Sequence, residues 1–177
     1  MNKIFLIMTG GTIGKIYNEF KGHMENQPNG NHFLKQLRLP YLDIEIVEIM
    51  CKDSMDITEG DRNNLLKTIL KLQKYEQPII ILHGTDRMVK SAKFCKKNLS
   101  EINVPIIFTG SMKPMDCVNS DAIQNITESI MACQIINPDI YISFHSTLFD
   151  VNNVQKNKEM LRFETLNNNF ITTNAIN

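Results

Sequence analysis

Five short apolar runs, rich in Ile, Val and Phe, recur along the chain. Runs that are this short and apolar at nearly every position are typical of strands buried on both faces, as in a parallel sheet. We therefore predict buried parallel strands over residues 3–8, 44–50, 78–82, 105–108 and 140–144.

Helical patterns separate these runs. Thr58 can cap a helix in which Leu and Ile residues recur at helical spacing between 65 and 72, and Asp61 stands where a capping box needs an acidic partner. Further helices are predicted over 88–99 and over 121–136, the latter capped by Ser120 and ending before Pro138, with a shorter one over 32–37. This alternation predicts a doubly wound α/β fold, a mainly parallel sheet with helices on both faces.

The length of 177 residues allows one domain with a sizeable core. The amino-acid composition of the chain changes at one place, where the stretch 167–177 becomes rich in Asn. We therefore expect a single α/β domain over 1–166, followed by a tail over 167–177.

Charge and cysteine content narrow the range of partners. Nineteen basic and nineteen acidic residues give a formal net charge of zero, so no overall field favours nucleic acid or anionic lipid, and a small molecule is the expected partner. No apolar run approaches the roughly 20 residues that cross a bilayer, which predicts a cytoplasmic protein without membrane association. The four cysteines form no C-x-x-C pair, so we expect idle thiols, with no metal and no other cofactor.

Polar side chains follow each predicted strand. Ligands of open parallel sheets bind beyond the carboxyl ends of the strands, so these side chains are candidates for a shared site. Each cluster alone is better explained as a solvated loop or a helix cap, but together the clusters are a stronger indication than any one of them. The clusters are Thr9 and Thr12; Asp53, Ser54 and Asp56; His83, Thr85 and Asp86; Thr109 and Ser111; and Ser146, Asp150 and Lys156.

The glycine turn after the first run allows two kinds of chemistry. A nucleotide phosphate is one ligand for such a turn, but Gly10, Gly11 and Gly14 are spaced as G-G-x-x-G, which matches neither nucleotide fingerprint. Nucleophilic catalysis is the other, with a threonine hydroxyl presented beside free N–H groups.

A threonine nucleophile needs activation. His83 ends a strand and is better explained as a structural residue bonded to the backbone than as a base. Asp86 and Lys156 could form an activating pair if their strands lie close together. The neighbours Asn157 and Lys158 favour instead a plain surface role for Lys156.

Several segments together resemble the bacterial-type L-asparaginase and glutaminase family, and specifically its N-terminal domain. Two hallmark segments are unbroken: T-G-G-T-I at 9–13 and H-G-T-D at 83–86. The resemblance continues in the same order through 52–56, 109–114, 120–122 and 150–156.

The resemblance implies roles for individual residues. Thr12 would be the nucleophile that forms an acyl-enzyme with a side-chain amide, while Thr85, Asp86 and Lys156 would move protons and activate the attacking group. Asp86 would also receive the substrate α-ammonium. Ser54 would bind its α-carboxylate, and Ser111 would lie beside the departing amide.

The family also uses a tyrosine on a loop after the first segment. Tyr17 is the tyrosine within 15–29, although Phe20 or His23 could occupy that place. Arg87 departs from the family pattern, since a small hydroxyl residue usually follows the aspartate. The length departs as well, because family members continue into a smaller C-terminal domain that completes the neighbouring subunit's site in their dimers. By this resemblance the tail would begin the linker to that domain.

Together these features predict a cofactor-free amidohydrolase that converts L-asparagine to L-aspartate and ammonia and forms a homo-oligomer. L-Glutamine is a second candidate substrate, since one methylene changes binding by only about 1–3 kcal/mol. The alternative is a truncated domain that binds asparagine, aspartate or a partner protein without useful turnover.

Overall fold

A computed structural model describes residues 2–27 and 32–167. Within them a six-stranded sheet has the order β4-β1-β5-β6-β7-β8, and every neighbouring pair is parallel except β7 with β8. Two antiparallel hairpins, β2–β3 and β9–β10, lie outside this sheet. The strands are β1 (Asn2–Gly10), β2 (Lys15–Asn18), β3 (His23–Asn26), β4 (Leu42–Lys52), β5 (Ile79–Leu82), β6 (Ile106–Thr109), β7 (Ile140–Phe144), β8 (Thr147–Asp150), β9 (Val154–Asn157) and β10 (Arg162–Thr165), and the helices are α1 (Glu59–Leu72), α2 (Met88–Asn98) and α3 (Ala122–Ala132).

The sheet separates two hydrophobic cores. Successive side chains of β1 point to opposite faces, so Phe5 and Ile7 pack with residues of α1 and α2, whereas Ile4 and Leu6 pack with α3. The predicted α/β class, with a mainly parallel sheet and helices on both faces, is confirmed. The five predicted strands correspond to β1, β4, β5, β6 and β7.

The predicted capping box at the start of α1 is present. The Thr58 hydroxyl accepts from the Asp61 N–H at 3.2 Å, and the Asp61 carboxylate accepts from the Thr58 N–H at 2.8 Å. The short helix predicted over 32–37 is present as a 3₁₀ helix, His32–Gln36.

The prediction for the third helix was too long. The α-helix covers Ala122–Ala132, and its N-cap position is Asp121 rather than Ser120. The Ser120 hydroxyl still accepts from the Ala122 N–H at 3.1 Å, while the Asp121 carboxylate accepts from the backbone amides of Met112 and Lys113.

The sequence pattern did not reveal the two hairpins or β8, because their strands are four residues long and largely polar. In the predicted tail, Asn167 is held by Asn153, whose side-chain oxygen accepts from the Asn167 N–H at 3.0 Å. The rest of the tail, 168–177, lies outside the described residues, so the division at residue 166 stays a prediction. Burial raises the pKa of Cys95 and that of Cys133 to about 12, which agrees with idle thiols at these two positions.

Candidate active site

The loops after β1, β4 and β5 meet at two glycines. A Cβ built at Gly11 would lie 2.5 Å from the Gly84 Cα, and one built at Gly84 would lie 2.7 Å from the Ser54 Cβ. Gly11 also has a φ of 87°, a backbone conformation that other residues rarely adopt. Glycine at both positions therefore allows the segments that carry Thr12, Ser54 and Thr85 to touch.

Gly110 brings the loop after β6 to the same place. A Cβ at this position would collide with the backbone carbonyl of His83, the residue that follows β5 and precedes Gly84. Ser111 follows directly and is buried. Its hydroxyl donates to the Lys113 carbonyl at 2.5 Å, so this hydroxyl is already engaged within its own loop.

Lys156 contacts two of the predicted catalytic residues. Its Nζ donates to Thr85 Oγ1 at 2.7 Å and to Asp86 Oδ1 at 3.0 Å. The Lys156 side chain is only 13% exposed, against 36% for Asp86. The plain surface role that the neighbouring residues favoured for Lys156 is therefore wrong. The lysine is carried by the β9–β10 hairpin, which the sequence pattern did not reveal.

Thr12 lies at the start of a 3₁₀ turn, Thr12–Gly14, directly after Gly11. Its side chain is partly exposed. Within 2–27 and 32–167, no residue forms a hydrogen bond with its hydroxyl, in contrast to Thr9, whose buried hydroxyl donates to the Leu82 carbonyl at 2.8 Å. Thr9 thus ties β1 to β5, whereas the Thr12 hydroxyl has no hydrogen-bonding partner among the described residues.

Ser54 lies opposite on the wall formed by the loop after β4. It is 2% exposed, begins the 3₁₀ turn Ser54–Asp56, and its Oγ would be 2.9 Å from a Cβ at Gly84. Asp53 caps this turn by accepting from the Met55 N–H at 3.1 Å. The turn therefore holds Ser54 against the Thr85 segment.

Tyr17 is on β2, in the hairpin that follows the Thr12 turn. Lys15 and Tyr17 share one face of β2, and the residues paired with them across the hairpin are Asn26 and Met24. Lys15 Nζ reaches Asp53 Oδ2 at 2.9 Å, so this face is the one turned toward the loop of Ser54. Tyr17 itself is 58% exposed.

The two alternatives to Tyr17 lie elsewhere on the hairpin. His23 pairs with Asn18 on the opposite face, and Phe20 lies fully exposed at the tip. The geometry therefore favours Tyr17 over both, although its side chain contacts none of the other candidate residues through a hydrogen bond in the described parts of the chain.

Sequence reasoning missed the contribution of Lys15 and Asn26. The Asn26 amide, oriented with its nitrogen toward the Gly11 carbonyl, donates to that oxygen at 2.8 Å and accepts from the Asp53 N–H at 3.2 Å. Both residues lie in a polar stretch without an apolar pattern, so only recognition of the hairpin could have singled them out.

His83 is a structural residue, as predicted. It is buried, its Nδ1 lies 2.8 Å from the Gly84 carbonyl oxygen, and its Nε2 lies 2.9 Å from Ser91 Oγ. Burial lowers its pKa to about 4, so the ring is neutral near pH 7. It anchors the start of the Thr85 segment to α2.

Asp121 anchors the loop of Ser111. Its carboxylate accepts from the N–H groups of Met112 and Lys113, from Asn125 Nδ2 and from His145 Nε2, all within 3.1 Å. Burial alone would raise the pKa of Asp121, but these hydrogen bonds outweigh burial and leave the pKa lowered.

The profile of the N-terminal asparaginase domain matches residues 3–174. This chain belongs to the asparaginase family. L-Asparaginase 1 of Escherichia coli is 28% identical to it over 160 residues, which are 86% of this chain and 47% of that protein. A glutamyl-tRNA(Gln) amidotransferase subunit from Nanoarchaeum equitans is 32% identical over 146 residues, 81% of this chain and 37% of that protein.

The fold agrees with this membership. The thermostable L-asparaginase from Thermococcus kodakarensis superimposes with a TM-score of 0.85 at 23% identity, over 98% of this chain and 55% of that one. The asparaginase-family chain thus spans about half the length of the Thermococcus kodakarensis protein and less than half the length of each of the two sequence relatives.

The described residues show two further features, one in the length of the helices and one in the surroundings of Arg87. No helix in 2–27 or 32–167 is long and apolar enough to cross a membrane. Arg87, the departure from the family pattern beside Asp86, is partly buried at the N-cap of α2, and its side chain has neither an ion pair nor a hydrogen bond within these ranges.

Proposed function

We propose that the asparaginase-family chain hydrolyses the side-chain amide of L-asparagine to give L-aspartate and ammonia, with Thr12 as the nucleophile. The observation that carries this proposal is the contact of Lys156 Nζ with both Thr85 and Asp86. Thr85 directly follows Gly84, the residue that the Thr12 loop contacts through Gly11. The Thr12 hydroxyl, which has no partner among the described residues, and the Lys156 ammonium thus belong to loops that meet at Gly84 and Thr85, although they lie far apart in the sequence.

The proposed reaction has two halves. Thr12 Oγ attacks the amide carbon, its proton passes to a base, and the C–N bond breaks as ammonia leaves with an added proton. Water then attacks the resulting ester, and its proton passes through Thr85 to Lys156, which has given a proton to the departing amine in the first half. The base returns the proton that it took from Thr12, so the Thr12 hydroxyl is restored as the acid is released. Tyr17 is the proposed base of the first half, because it stands on the site-facing side of β2.

Recognition of the substrate is assigned to charged and polar groups around these residues. Asp86 retains a partly exposed carboxylate for the α-ammonium group, and Ser54 offers a hydroxyl without a hydrogen-bonding partner in the described ranges for the α-carboxylate. Ser111 is proposed to shape the wall near the departing amide, because its own hydroxyl bonds to Lys113. L-Glutamine is the second substrate of the proposal.

The amidotransferase relative supports a second candidate, in which the chain releases ammonia for use by another polypeptide. The supporting observation is the 32% identity with a protein named as an amidotransferase subunit. Both candidates share the amide hydrolysis step and differ in the fate of ammonia. We propose the hydrolase first, and with it a cytoplasmic location and a homo-oligomer.

The test is ammonia release by the purified chain from L-asparagine and from L-glutamine. Thr12→Ala should abolish release, and Thr12→Ser should retain part of it because a hydroxyl remains. Thr68→Ala is the matched control, since Thr68 is a partly exposed α1 residue whose hydroxyl bonds to the Asn64 carbonyl of the same helix. Equal release by wild type and Thr12→Ala would overturn the assignment of Thr12.

A further inference from the structure

We infer that Lys15, Asp53 and Asn26 form a clasp that sets the position of Tyr17 relative to Ser54, with Asp53 as a positioning residue for both. The inference deepens the proposed function, on which it rests for the roles of Tyr17 and Ser54. It gives a positioning role to three residues that are not among the predicted catalytic residues.

The clasp consists of three contacts at the base of the β2–β3 hairpin. Lys15 Nζ lies 2.9 Å from Asp53 Oδ2. Asn26 donates to the Gly11 carbonyl at 2.8 Å and accepts from the Asp53 N–H at 3.2 Å. Lys15 and Asn26 are cross-strand partners, so one end of the hairpin is fixed on both strands to the loops after β1 and β4.

The hairpin is not part of the main sheet. Among the described residues, its two strands pair with each other and with no other strand. A two-stranded hairpin is marginally stable in water by itself. Phe20 at the tip of the hairpin is fully exposed. The contacts of Lys15 and Asn26 at the base therefore set the orientation of the β2 face that carries Tyr17.

The Asp53 carboxylate contacts both the β2–β3 hairpin and the turn that begins at Ser54. Asp53 Oδ2 receives Lys15, while Oδ1 caps the turn that begins at Ser54 by accepting from the Met55 N–H. Lys15 and Tyr17 stand two residues apart on the same face of β2. A shift of Asp53 would therefore move the tyrosine and the serine together.

The charges around Asp53 favour its ionised form. The hydrogen bond from Lys15 is the main cause that lowers its pKa, the Met55 N–H adds to it, and partial burial opposes both. The positive charge of Lys156 on β9 adds a smaller effect in the same direction. The Asp53 carboxylate is therefore ionised at neutral pH, where it can hold the Lys15 ammonium.

A kinetic comparison tests the clasp. Lys15→Met should lower kcat at least tenfold with a KM within threefold of wild type, because Tyr17 is displaced. Asp53→Asn should lower kcat and also raise KM, because the Ser54 turn is loosened. Lys15→Arg should restore most of kcat, because it keeps the charge.

Two controls separate positioning from general stability. Lys21→Met removes another ion pair of the same hairpin, Lys21 with Glu25 at 2.8 Å, and should leave kcat and KM unchanged. In a Tyr17→Phe background, Lys15→Met should have no further effect on kcat. Equal effects of Lys15→Met and Lys21→Met, or full additivity with Tyr17→Phe, would overturn the inference.

A second measurement does not depend on turnover. Chymotrypsin should cut after the exposed Phe20 at least fivefold faster in Lys15→Met than in wild type or Lys15→Arg. If wild type released no ammonia but this difference appeared, the proposed function would fail while the clasp stood. An unchanged cleavage rate would remove the clasp even if the enzyme were active.

Discussion

The backbone of Gly11 packs directly against that of Gly84, and this contact joins the loop of Thr12 to the loop of Thr85. Each loop continues a strand of the parallel sheet, β1 and β5, which pair in register from Phe5 with Ile79 to Met8 with Leu82. The pairing of the strands brings the loops together, and the absence of side chains at both glycines lets them touch.

Gly11→Ala should therefore lower the free energy of unfolding by about 2–3 kcal/mol, because it adds a backbone collision to an unfavourable φ. Urea denaturation would measure this loss. Gly14→Ala is the matched control, since a Cβ there meets nothing within 4 Å, and it should change stability by less than about 0.5 kcal/mol. A Gly11→Ala protein as stable as Gly14→Ala would contradict the contact.

Lys156→Met should lower kcat/KM for asparagine by about 10³-fold, because it removes the group that contacts both Thr85 and Asp86. Steady-state ammonia release measures the effect. Lys158→Met is the control: Lys158 is exposed two residues further on, and its loss should change kcat/KM by less than twofold. If both variants lost the same activity, the effect would come from the hairpin rather than from the ammonium group.

The burial of His83 should make stability fall in mild acid. Its pKa is about 4 in the folded protein against 6.5 for an ordinary histidine, so the unfolded chain takes up a proton first as the pH drops. The contribution of neutral His83 to the free energy of unfolding is complete above pH 6.5. It is lost progressively toward pH 4, and the total loss is up to about 3 kcal/mol.

Urea unfolding of wild type and His83→Gln at pH 7 and pH 4.5 would measure that contribution. The variant should lose less stability between the two pH values than wild type does. The same dependence in His83→Gln and wild type would show that His83 is not the group responsible.

Asp121→Ala should reduce the free energy of unfolding by about 3 kcal/mol, because two backbone N–H groups and two side chains lose their acceptor. Urea titration at constant temperature gives this difference. Asp43→Ala, on the exposed face of edge strand β4, should cost less than about 0.5 kcal/mol. A small effect at Asp121 would mean that the loop of Ser111 is held by its other contacts.

The sequence by itself determined five of the six strands of the sheet, the places of the three α-helices and the candidate residues at the strand ends. Apolar runs such as Ile79–Leu82 are buried on both faces and therefore carry a strong pattern, and the capping box of Thr58 and Asp61 is made by residues three positions apart. Local signals of this kind survive in a single sequence because the interactions behind them are short in range or repeat along the element.

Only the tertiary structure decided how those residues meet. Lys156 lies 71 positions from Thr85 and is carried by a polar hairpin, so no pattern of hydrophobic and polar residues near it distinguishes it from the exposed Lys158. The same holds for Lys15 and Asn26, whose partners lie on other loops. These contacts depend on the order in which the parallel strands stand side by side, and no local pattern of hydrophobic and polar residues encodes that order.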